Sequence, residues 1–214
     1  MKKSVDLVSG NIFNSLLKLA IPILGTSFIQ MAYNMIDMMW VGRIGSESVA
    51  AVGTAGFFTW FGSALVFISK IGAEIGVSQA IGKKDVKERN KFIYNSLFIN
   101  IVIAILYTII LIIFRNELIG FFNLGDENII KMSIDYLIVV SFGMIFNFLN
   151  PLFTGIFNAS GSSKIPFLIN TIGLAFNIIF DPILIFGLFG FPKLGVIGAA
   201  LATISAQAVV TIIF

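Results

Sequence analysis

Polar residues along this chain are punctuation between long apolar runs. Six stretches carry almost no charge, at about 16–41, 50–69, 92–114, 132–157, 165–190 and 194–214. Each approaches or exceeds the roughly 20 mostly apolar residues a helix needs to cross a bilayer core of about 30 Å. The runs show no alternation with a period of two over about ten residues, the mark of a membrane β-barrel. The pattern predicts an all-α integral membrane protein: a six-transmembrane-helix bundle in which residues 1–214 form a single transmembrane lobe. The first run is too long for a secretory leader, and no small-residue cleavage site precedes a polar mature domain. Between the third and fourth runs, 115–131 (RNELIGFFNLGDENIIK) mixes acids with Phe121, Phe122 and Leu124, which predicts a short interfacial helix and a turn.

Composition strengthens this picture and removes several function classes. Hydrophobic residues make up 57% and charged residues 12% of the chain, where soluble proteins carry about 25% charged. There is no Cys and no His, so disulfides, thiolate or imidazole metal ligation and imidazole catalysis are excluded. No phosphate-cradling loop, nucleophile elbow or metal-ligand cluster is present, so neither an enzyme nor a cofactor is expected. The net charge of +3 comes from basic loops, which argues against a nucleic-acid partner.

Those loops set an expected orientation, because Lys and Arg concentrate on the cytoplasmic side. With a cytoplasmic N-terminus, Lys2, Lys3, Lys18, Lys83, Lys84, Lys87, Arg89, Lys91 and Lys164 lie inside. Arg43, Arg115, Lys131 and Lys193 lie outside, and Lys70 is near a helix end. Both termini are therefore expected in the cytoplasm, with the chain multi-pass in the cell membrane.

Charge inside a span is costly and marks function by default. Gln30, Tyr33, Asn34 and Asp37 fall on one helical stripe, which has to face protein or water. Asn177 and Asp181 are one turn apart, Asn170 lies two turns before Asn177, and Pro182 frees a backbone carbonyl beside the carboxyl. The fourth run adds Asn147, Asn150, Thr154 and Asn158 around Pro151. Pro22, Pro151 and Pro182 are candidate flexure points, and the three stripes are candidates for lining one aqueous cavity. A helix-packing network is the competing explanation. Asp135 is expected near a helix N-terminus beside Lys131, as an interfacial acid. Lys70 and Glu74, spaced i and i+4, are expected to neutralise each other. Gly195, Gly198, Ala199 and Ala200 favour close helix contact in the sixth run.

Several blocks resemble one family. They are Leu19–Leu24 (LAIPIL) with Gln30 and Tyr33–Asp37 (YNMID), Gly42–Gly45 (GRIG), Gly155–Lys164 (GIFNASGSSK), Asn177–Phe186 (NIIFDPILIF) and Leu194–Thr203 (LGVIGAALAT). In this order and spacing they resemble the MATE (multidrug and toxic compound extrusion) transporters. The resemblance implies one lobe of a twelve-helix MATE-like fold, with a missing C-terminal lobe or a second half-transporter chain as partner. It implies a cation-coupled antiporter, driven by a proton or sodium ion, that exports small organic, often cationic, compounds by alternating access. Carried over residue by residue, the cation or proton site falls on Tyr33, Asp37, Asn177, Asp181 and Thr203, with Ala199 one turn before Thr203. The alternatives are a lipid-linked oligosaccharide flippase of the same superfamily, for which more cavity Arg and Lys would be expected, and a non-transporting structural membrane subunit.

The absence of Cys makes the orientation convenient to test. Ser46→Cys and Asn128→Cys are expected to react with an impermeant thiol reagent outside intact cells, and Asp85→Cys only after the membrane is opened. The opposite pattern would reverse the assignment.

Overall fold

The computed structural model describes residues 12–214, so Lys2, Lys3 and the N-terminus lie outside the described residues. Eight helices follow one another: α1 (Ile12–Gly42), α2 (Ser46–Gly82), α3 (Val86–Ile113), α4 (Arg115–Gly120), α5 (Glu127–Phe142), α6 (Met144–Ala159), α7 (Lys164–Phe186) and α8 (Val196–Ile213). α1, α2, α3, α7 and α8 are each long and apolar enough to cross a membrane, and α5 with α6 supplies a sixth, bent span. α4 is the short helix expected between the third and fourth spans.

The helix ends differ from the sequence expectation where local chemistry extends or breaks a run. α2 does not stop near Ser69 but continues to Gly82, because Lys70 and Glu74 satisfy each other across one turn (Nζ to Oε1, 3.8 Å). Its 37 residues make a rod about 55 Å long at 1.5 Å per residue. α3 begins within the basic segment 82–91, where the Asp85 carboxylate caps it by accepting from the Glu88 N–H (2.9 Å). The fourth span bends by 51° between α5 and α6. The break is at Gly143, and Pro151, the expected flexure point, lies inside α6. Gly143 is pressed by the Ile204 side chain of α8, which leaves no room for a Cβ there. α7 likewise runs through Pro182, and α1 through Pro22.

Small residues set the packing distances. A Cβ on Gly62 of α2 would lie 2.7 Å from the Tyr107 ring of α3, and the Tyr107 hydroxyl donates to the Phe58 carbonyl (2.6 Å). The core between α2, α3, α5 and α6 is filled by Val66, Leu111, Leu137, Met144 and Phe148. α7 and α8 form a tight antiparallel hairpin. Gly187 at φ 74 ends α7, and the Leu194 and Gly195 amides donate back to the Leu184 and Ile185 carbonyls (3.1 Å each). Gly198 lies directly on the Leu184 carbonyl. This hairpin brings Asp181 level with the first turns of α8. The bundle has one basic end, at the α2–α3 turn and the start of α7, and an opposite end, at the α1–α2 turn and the α7–α8 hairpin.

Phe28, Met35, Trp60, Phe98, Ile105 and Ile109 are among the large apolar side chains left on the outer surface, as expected of a chain whose solvent is lipid. The Gly198 contact is against backbone, which cannot swing away, so Gly198→Ala is expected to destabilise the bundle by about 1–3 kcal/mol. Gly53, in the interior of α2 with open space around it, provides the contrast. Gly53→Ala is expected to be neutral or stabilising by about 0.5–1 kcal/mol. Thermal unfolding in detergent measures both.

Candidate cation site in the α1–α7–α8 cleft

Three helices deliver the site. On α1, Asp37 lies five residues before the helix end and is 8% exposed; on α7, Asp181 is also five residues from the end and fully buried. α1 packs directly on α7, and α8 packs along α7 beside them. The Thr203 hydroxyl donates to Asp37 Oδ1 (3.5 Å), and the Tyr33 hydroxyl donates to the Thr203 carbonyl (3.2 Å). On α7 the Asn177 amide donates to Asp181 Oδ1 (2.9 Å) across one helical turn. The two carboxyls are close enough to feel each other electrostatically, and Tyr33 lies within reach of both. All five residues singled out in the sequence therefore come together, from positions up to 170 residues apart.

The site is incomplete as a set of protein groups. Asp181 Oδ2 and Asn177 Oδ1 are buried with no hydrogen-bond partner. Pro182 has no amide hydrogen, so the Ile178 carbonyl loses its usual helical donor as well. Two buried carboxyls, one with a spare acceptor oxygen, and neither paired with a Lys or Arg among the described residues, fit a group that brings positive charge. A proton on either carboxyl, or a small cation bound by oxygen atoms, has the required chemistry.

The other polar residues read from the sequence divide. Gln30 and Asn34 share the Tyr33–Asp37 stripe but are exposed on the lobe surface. Asn170 bonds the Pro166 carbonyl of its own helix (2.7 Å) and sits about 16 Å along α7 from Asp181. It does not join the site. Asn150 is buried between α6 and α8, where its amide donates to the Gln207 carbonyl (3.0 Å) and its Oδ1 accepts from the Thr211 hydroxyl (2.7 Å). Asn147 Oδ1, Thr154 Oγ1 and Asn158 Oδ1 are buried without partners.

Asp135 departs from expectation. α5 begins at Glu127, capped by Asp126, so Asp135 lies about 12 Å inside the helix. Among the described residues the ion pairs are Lys70–Glu74 and Lys83–Glu88, and Lys131–Asp135 is not one of them. The adjacent Tyr136 was not singled out by the sequence. It is 5% exposed and lies within electrostatic reach of Asp37, Tyr33 and Asp181, so it forms the α5 wall of the site. Its only signal was phase, since Ser133, Tyr136 and Val140 recur on one face of an otherwise apolar helix.

Comparison with known proteins places this geometry. The MatE family profile matches residues 22–183. The chain is 28% identical over 192 residues to the probable multidrug resistance protein NorM of Thermotoga maritima, covering 90% of this chain and 41% of that one. It is 31% identical over 197 residues to the probable multidrug resistance protein YoeA of Bacillus subtilis, covering 91% and 42% respectively. A crystal structure of a MATE protein in a bent conformation superposes with a TM-score of 0.87 at 28% identity, over 100% of this chain and 46% of that one. The chain thus spans less than half the length of these relatives. With its bent fourth span counted once, this six-span bundle is one lobe of the transporter fold, and the chain belongs to the MatE family.

Proposed function

We propose that this lobe supplies the ion-coupling half of a multidrug efflux antiporter. The observation that carries the reading is the pairing of Asp37 with Asp181, two buried carboxyls on different helices. Both are bridged or flanked by polar groups of α7 and α8, and acceptor oxygens are left over. A carboxylate taken out of water without a basic partner needs a compensating positive charge. A proton or sodium ion entering from the outer side is therefore stabilised at the pair.

Binding of that ion removes the repulsion between the two carboxyls and the pull that Asp37 exerts on Thr203. α1 is then free to reset against α7 and α8, with Pro22 and Pro182 as the points where its own or its neighbour's backbone yields. A cationic substrate near the same carboxyls opposes the coupling ion by ordinary electrostatics. That opposition links import of one to export of the other, in alternating access between this lobe and a second one. The N-terminus and the basic end face the cytoplasm in this reading, and the membrane is the cell membrane. The neutral Asn, Gln and Thr stripes, without Arg, favour an organic cation over a pyrophosphate-linked lipid.

The test is made on the transporter that carries this lobe, in proteoliposomes, with efflux of ethidium driven by a proton gradient or a sodium gradient. Asp37→Asn and Asp181→Asn are each expected to abolish coupled efflux at normal membrane protein levels, since Asn keeps size and most hydrogen bonding but cannot ionise. Asn177→Ala is expected to fall between these and the parent. A packing network without transport would give mild Asp→Asn effects that track protein amount. Residual coupling in both Asp variants would sink the reading.

A further inference from the structure

Beyond the carboxyl pair, polar groups continue along one seam toward the basic end of the bundle. Thr203, Gln207 and Thr211 recur every four residues on α8, starting at the Asp37 contact. Facing them on α6 are Asn147, Asn150, Thr154 and Asn158. The register is fixed by Gly143 against Ile204 and by Asn150, which is held by both the Gln207 carbonyl and the Thr211 hydroxyl. Neither α6 nor α8 carries an ionisable side chain.

The seam holds more hydrogen-bonding capacity than the protein fills. Asn147 Oδ1, Thr154 Oγ1 and Asn158 Oδ1 are all buried and unpartnered, and Thr154 as a residue is only 7% exposed. Pro151 has no amide hydrogen, so the Asn147 carbonyl also loses its helical donor. Buried polar atoms are nearly always satisfied, by ordered water where protein does not reach them. At membrane depth, water or an ion is the only other source.

At the basic end the seam meets a carboxylate. Glu74 and Lys70 of α2 lie against Gly155 of α6, where a Cβ would sit 2.9 Å from Glu74 Oε1 and 3.0 Å from Lys70 Cγ. Asn158 is on the same face of α6, one turn nearer the end. The Lys70–Glu74 separation of 3.8 Å is beyond hydrogen-bond distance, so the ammonium holds the carboxylate by charge alone and a second cation can exchange with it.

We infer that the facing polar stripes of α6 and α8 form a hydrated cation track from the Asp37–Asp181 pair to Glu74 at the basic end of the lobe. This rests on the reading of the carboxyl pair as the coupling-ion site. Acidic groups stand only at the two ends, and neutral oxygens line the path between them. An ion is passed along such a path without being trapped, since conduction needs binding strong enough for entry and weak enough for exit. Glu74 receives the ion as Lys70 is displaced, and release to water restores the Lys70–Glu74 pair.

These 214 residues contain no Cys, so, with any Cys elsewhere in the transporter that carries this lobe replaced by Ser, hydration can be mapped with a cationic methanethiosulfonate reagent in sealed vesicles of both orientations. Thr154→Cys and Asn158→Cys are expected to react when the reagent reaches the basic end, while Phe148→Cys, fully buried in the apolar core on the same helix, stays unreactive. Labelling no faster than Phe148→Cys, or only from the opposite end, overturns the track. In ethidium efflux, Glu74→Gln is expected to lower turnover about tenfold with half-saturation unchanged, as for a step after binding. Gly155→Ala, which crowds Glu74 off α6, is expected to reproduce part of that loss. Unchanged turnover in Glu74→Gln also overturns it. If Asp37→Asn still couples, the carboxyl-pair reading itself has failed, whatever the labelling shows. If Asp37→Asn is uncoupled and the labelling and Glu74→Gln arms are negative, only the track falls.

Discussion

A carboxyl group has no neutral ground in hydrocarbon: it must find donors, a cation or a proton within the protein. Asp37 and Asp181 impose that demand on α1 and α7, and much of the lobe is arranged to meet it. α8 answers with Thr203 and α7 with Asn177, and both answers require backbones close enough for short side chains to reach. The requirement reappears as the glycines of the α7–α8 hairpin, where Gly198 lies on the Leu184 carbonyl. Close packing here is the means by which a polar site is held inside an apolar bundle, more than a source of stability in its own right. The demand is only partly met, because Asp181 Oδ2 and Asn177 Oδ1 keep spare capacity. That shortfall is what the proposed coupling ion would fill.

Much of this is legible in the sequence itself. Lipid offers backbone groups no partners, so spans must be helical and long, and six apolar runs announce themselves. The price of an intramembrane charge makes Asp37 and Asp181 conspicuous, and the periodicity of a helix selects Tyr33 and Asn177 as their neighbours. What the sequence could not carry was distance between helices. Asn170 and Asn177 look equivalent on a helical wheel, yet Asn170 spends its amide on its own backbone. Gln30 and Asn34 share a stripe with Asp37 but stay on the surface.

Breaks and helix ends are the least legible in the sequence, for a physical reason in each case. A proline is the visible candidate for a bend, but the fourth span bends at Gly143, where the Ile204 side chain of α8 needs the room a Cβ would fill. The charges at Lys70 and Glu74 look like the edge of a span, but as a pair one turn apart they let α2 continue for three more turns. Tyr136 hid because a single phenol in an apolar helix usually marks an interface, and only its position against the other helices reveals that it walls the carboxyl pair.

The length of α2 has a mechanical consequence. A rod of about 55 Å threads a hydrocarbon layer of about 30 Å, so nearly half of it stands clear of the layer or is accommodated by tilt. Such a rod is a lever with its fulcrum in the packed core around Gly62 and Phe148. Gly82 lies 20 residues beyond Gly62, about 30 Å at 1.5 Å per residue, so a rotation of about 10° about that fulcrum would move the basic end by roughly 5 Å. Small adjustments around one end of the lobe are thereby transmitted to the other without any helix having to unwind.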